Sequence, residues 1–122
     1  MYDVEVYKTE SGNAPYEDFL KKEILKKHKI REMSEIQLYI NKLKEHGFLI
    51  NERFKHEAIK PIKDKIYELR PGRNRILFFF FNESGEFVLL HGFVKRTPKT
   101  PQREIENAQS EYKDYIRRNS NG

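Results

Sequence analysis

The chain has 122 residues, no cysteine, and 24 Lys and Arg against 19 Asp and Glu, a net charge of +5. Without cysteine, disulfides, thiolate metal sites and thiol catalysis are excluded. The length points to a single domain. Nine Phe and seven Tyr supply large buried areas from few positions, so a core without metal or disulfide staples is expected. The Ile76–Phe81 run is far shorter than the roughly 18 apolar residues of a membrane span. The opening MYDVEVYKTE lacks a basic segment followed by an apolar one, so neither a secretory signal nor membrane contact is expected, and the expected location is cytoplasmic. The basic excess fits ordinary solubility or an anionic partner such as nucleic acid or an acidic protein.

In chain order, Tyr2–Lys8 alternates apolar and acidic residues, the mark of a half-buried strand. Ser11-Gly12-Asn13 is a turn, with Asn13 as a candidate helix N-cap and Pro15 just inside the helix. Tyr16, Phe19, Leu20 and Ile24 then mark an amphipathic helix to about Lys27. Met33, Ile36, Ile40 and Leu43 mark a second, closed by Gly47. Two successive helices suggest a hairpin lying across a sheet. Phe48–Ile59 reads as a loop, and Pro61 argues against a central strand around it.

Lys65–Arg70, Arg75–Phe81 and Phe87–Val94 read as three strands joined by Pro71–Asn74 and Asn82–Gly85 turns, an antiparallel meander. The second strand is apolar on both faces, which requires cover on both sides. Thr100 is a candidate cap for a final helix with Pro101 at its first position. Ile105, Ala108, Tyr112 and Ile116 give that helix its apolar stripe. The expected order is βααβββα, an α+β fold in one domain over residues 1–118, with 119–122 as a disordered tail.

Basic residues gather at the ends of the expected sheet. Lys60, Lys63 and Lys65 precede the first meander strand, Arg70, Arg73 and Arg75 flank its turn, and Lys95, Arg96 and Lys99 follow the last strand. Antiparallel pairing brings Arg75 and Lys95/Arg96 to one edge. Clustered cations there suit phosphate binding and charge stabilisation in phosphoryl transfer. The same pattern also fits a solvated rim that keeps edges soluble. Glu68 shares a face with Arg70, as an ion pair or as an acid/base or Arg-orienting carboxylate. His28, His46, His56 and His91 lack metal-motif spacing. His91, in an apolar strand, is expected to be a hydrogen-bonded core histidine, with proton transfer as the alternative. His56, in the loop, is expected at the surface. No P-loop, GxSxG or GxGxxG is present.

Two segments, IYELRPGRNRILFFFF (66–81) and LLHGFVKRTPKTPQREIENA (89–108), resemble the RelE/HigB-like superfamily of type II toxin–antitoxin toxins. The resemblance is closest to its phage-associated HigB-like branch. It implies a RelE-like fold and a ribosome-dependent mRNA endoribonuclease, or mRNA interferase, that directs the RNA 2′-OH onto the adjacent phosphate without metal or other cofactor. It also implies a cognate antitoxin, often a helix-turn-helix, HigA-like protein, in a toxin–antitoxin hetero-oligomer, with the ribosome and mRNA as targets.

By the same resemblance, Arg70, Arg75, Lys95 and Arg96 are the expected catalytic residues. Lys60, Lys63, Tyr67, Arg73 and Lys99 are the expected RNA contacts, Tyr67 by base stacking. The chain departs from some ribosome-dependent members in two ways. Glu68 stands where they carry lysine, and Pro101–Ile105 offers no tyrosine, which leaves the general acid and base unassigned. The alternatives are a ParE-like toxin that inhibits DNA gyrase by binding, and a non-catalytic RNA- or protein-binding domain. Gyrase inhibition without RNA cleavage marks the first, and salt-sensitive RNA binding without cleavage marks the second.

Overall fold

The computed structural model describes residues 1–54 and 57–120. Strand β1 (Asp3–Val6) is followed by α1 (Pro15–Phe19), which continues as a π-helical stretch over Leu20–Leu25, and by α2 (Ile30–His46). A 3₁₀ segment (Gly47–Arg53) leads to β2 (Ile59–Lys63), β3 (Ile66–Leu69), β4 (Asn74–Phe81), β5 (Glu86–Val94) and α3 (Gln102–Asn119). The five strands form one mixed sheet in the order β1-β5-β4-β3-β2. The expected antiparallel meander is β3-β4-β5, and β1 joins it in parallel beside β5.

The expected α+β layout holds, with one strand more than foreseen. Part of the expected 48–59 loop is 3₁₀ helix, and Ile59 opens β2. Pro61 is tolerated in β2 because that strand pairs only with β3, and an edge position does not need the missing N–H. The first helix is not α-helical to Lys27. Its N–H groups reach five residues back near the end, Lys26 to Lys21 and Lys29 to Ile24, both at 3.0 Å. This wider winding keeps Ile24, five residues after Phe19, fully buried.

Asn13 does not cap α1. Ala14 occupies that position and makes no side-chain bond, while Asn13 takes part in the Thr9–Asn13 turn through its backbone. Thr100 does not cap α3, whose N-cap is Pro101. Of the expected tail, Asn119 closes α3 and Ser120 follows it, while 121–122 lie outside the described residues, as does His56. Gly47 does close α2. Its φ of 59° is open to glycine, and its N–H bonds the Leu43 carbonyl.

The two-faced β4 is covered as its sequence requires. Ile76 and Phe78 meet Phe19, Ile36, Ile40 and Leu43 of the N-terminal helices. Leu77, Phe79 and Phe81 meet Ala108 and Tyr115 of α3. Tyr112 and Tyr115 are packing residues, with ring centroids 4.7 and 5.4 Å from Phe79. A register shift in the β4–β5 ladder pairs Leu77 with His91 but Phe78 with Leu89. The extra residue, Leu90, is a bulge that turns His91 onto the α3 face. No helix among the described residues is long and apolar enough to cross a membrane.

Candidate functional site

On the α3 side of the sheet, where β3 ends, β4 begins and β5 ends, there is a cleft of about 390 Å³. Lys60, Arg70, Arg75, Lys95 and Lys99 line it, and Glu68 is its one carboxylate. Phe93, Ile62 and Ile105 give it an apolar floor. Strand periodicity explains the convergence. Arg70 follows β3 two residues after Glu68, and Arg75 pairs with Phe93, two residues before Lys95, across β4–β5.

Glu68 is the centre of the cluster and is 3% exposed. Its Oε2 lies 3.7 Å from Arg70 Nε and 3.8 Å from Arg75 Nε. Its Oε1 accepts a 2.6 Å bond from the Thr100 hydroxyl. Arg75 is itself buried and is held from behind, where Nη1 donates to the carbonyls of Gly72 at 2.7 Å and Asn74 at 2.9 Å. Burial pulls its pKa down from the ordinary arginine value, Glu68 opposes that fall, and Arg70 adds to it. The guanidinium stays charged throughout. Arg70 donates to Glu57 at 3.2 Å, and its buried Nε, which makes no hydrogen bond among the described residues, faces the Glu68 carboxylate. Two guanidiniums at fixed spacing with three lysines at the rim suit a phosphodiester.

Not every expected residue joins this group. Arg96, next to Lys95, is directed to the other side of β5, with Nη2 3.9 Å from Glu23 Oε2. Tyr67 faces the N-terminal helices, its ring 4.8 Å from Phe48 and 5.8 Å from Phe78. Arg73 is exposed in the β3–β4 turn, where its carbonyl accepts the Lys95 N–H at 2.8 Å. Lys63 is exposed at the end of β2 and does not line the cleft. Thr100 was foreseen only as a cap. Its true partner is 32 residues away, and no local pattern signals such a bond.

His91 is the expected hydrogen-bonded core histidine. Nδ1 meets Glu111 Oε1 at 2.7 Å and Nε2 meets Glu104 Oε1 at 3.0 Å. Both ring nitrogens are thus engaged by α3, and the ring does not line the cationic cleft.

A family model described as phage derived protein Gp49-like (DUF891) matches residues 23–113, which include every strand of the meander, the cationic cleft and most of α3. No curated protein matches the chain. The match covers well over half of the chain and carries the cleft with it, and the chain therefore belongs to the phage-derived Gp49-like family, a toxin–antitoxin-associated group of RelE/HigB-like proteins.

Proposed function

We propose that the protein is the toxin of a type II toxin–antitoxin pair, a ribosome-dependent mRNA endoribonuclease that acts as one domain over residues 1–118 in the cytoplasm. The observation that carries this is the cleft itself, in which five cations surround one buried carboxylate. Arg70 and Arg75 hold the scissile phosphate and stabilise the charge that builds on it. Glu68, between them, takes the proton from the 2′-OH as that oxygen attacks the adjacent phosphorus. Lys95 or Lys99 donates a proton to the departing 5′ oxygen. Lys60 tracks the RNA backbone at the rim. Arg96, Arg73, Lys63 and Tyr67 lie outside the cleft and contribute by contact with the ribosome. Family membership supports the toxin class and an antitoxin partner.

The test is inducible expression with mapping of mRNA 5′ ends, with and without translation. Cleavage should appear only on translated messages. Arg75→Ala and Lys95→Ala should fold, and Arg75→Ala should lose about 100-fold or more in cleavage. Full toxicity of both variants would sink the proposal.

A further inference from the structure

The edge of the sheet beside β5 is only half covered. β1 pairs with β5 from Glu86 to Leu89 and ends with the Tyr7 N–H on the Leu89 carbonyl at 2.9 Å. The chain then turns away through Thr9–Asn13 into α1. β5 continues to Val94 with β4 on one side and, among the described residues, no strand on the other. Lys95 donates to the Arg73 carbonyl, so the alternation of the antiparallel ladder turns the N–H and C=O groups of Gly92 and Val94 outward.

A groove of about 420 Å³ follows this open edge between α1 with its π continuation and α3. Four residues of β5, His91 to Val94, line it and at roughly 3.3 Å each give it the length of one short strand. Exposed edges are usually blunted or paired. Here α1 rests on the face of the strand through Phe19 at Gly92, and the slot runs beside it. Its walls carry Asp18, Glu23, Glu104 and Glu111 against Lys22, Arg96 and His91, a small acidic excess in a chain of net charge +5. Glu23 is engaged by Lys27 and Arg96. His91 takes Oε1 of Glu104 and of Glu111, which leaves Oε2 of each for a cation arriving along the slot.

We propose that this groove is a strand-addition site for an extended, basic segment of the antitoxin. The segment lies beside Gly92 and Val94 as a sixth strand, with main-chain hydrogen bonds for affinity and a lysine or arginine on the Glu104–Glu111 wall for selectivity. The source of the segment rests on the toxin–antitoxin reading above and does not require RNA cleavage. The site lies off the edge of β5 away from β4, whereas Arg70 and Arg75 lie over β3 and β4. A partner docked there takes hold of β5 one residue before Lys95 without filling the cationic cleft.

The experiment uses the full chain and the product of the reading frame adjacent to its gene. Hydrogen exchange of the complex should show protection at the amides of Gly92 and Val94. Val94→Pro removes an outward N–H and no bond to β4, and should weaken binding by 100-fold or more. Asp18→Lys, an exposed change on the acidic wall, should weaken it about 10-fold. If Val94→Pro fails to fold, Asp18→Lys and the exchange map decide. The proposal is overturned if both variants bind like the wild type, if protection falls on the Arg70–Lys99 cleft instead, or if the neighbouring product does not bind. The ribonuclease reading fails separately, through a wild-type chain that binds its partner at Gly92–Val94 but cuts no mRNA.

Discussion

His91 holds two carboxylates of α3 at once, and its protonation links pH to stability. Burial alone pushes its pKa down, but the hydrogen bonds and charges of Glu111 and Glu104 outweigh that and raise it above the ordinary 6.5. A histidine whose folded pKa is raised binds its proton more tightly in the folded state. Its contribution is therefore complete below the ordinary value and is lost as pH climbs through the raised one. Urea unfolding at about pH 6 should show a more stable protein than at about pH 9. His91→Leu should flatten that difference and remove about 2–4 kcal/mol at the lower pH, because two mostly buried carboxylates lose their cation. An unchanged pH slope in the variant would mean that another group carries it. The histidine's burial was legible in the apolar strand around it. Its partners were not, because they lie on another element and the Leu90 bulge decides which face His91 takes. The same holds for Thr100, whose hydroxyl reads as a cap in isolation and instead locks Glu68.

Between elements, the contact of α1 with β5 depends on a missing side chain. A Cβ placed on Gly92 would lie 2.5 Å from Cδ2 of Phe19. Gly92→Ala should therefore destabilise by about 1–3 kcal/mol through overpacking, although alanine is better tolerated than glycine within a strand. Denaturant midpoints of the two proteins measure this, and an equal or higher midpoint would show that Phe19 moves freely. The meander and both covering layers were readable from the two-faced apolar run at Ile76–Phe81, which leaves few alternatives. The π winding was not, since Phe19, Leu20 and Ile24 fit an α-helix as well until Ile24 has to reach the sheet. Nor was β2, where Pro61 and the exposed Lys60 and Lys63 look unlike a strand because only an edge tolerates them.

Across the whole molecule, charge divides into a basic cleft over β3–β5 and an acidic groove off the edge of β5. For single-stranded RNA held by four or five of the cleft cations, affinity should fall on the order of 50- to 100-fold between about 50 and about 200 mM salt. Arg75→Ala should shallow the logarithmic slope by about 0.7. A filter-binding salt series measures both, and a flat dependence would place RNA elsewhere. The basic excess was visible in the composition. Its separation from an acidic slot was not, because Lys95 and Arg96 are neighbours in sequence and part company only where β5 ends. The parallel pairing of β1 with β5 has a consequence for the moment of synthesis. Strand β1 has no partner in the sheet until β5 follows it, on the order of ten seconds later at ordinary elongation rates. The cationic cleft also needs Lys95 and Lys99, which emerge after β5. The sheet therefore stays unfinished, without its cationic cleft, until β5 and the residues through Lys99 have emerged.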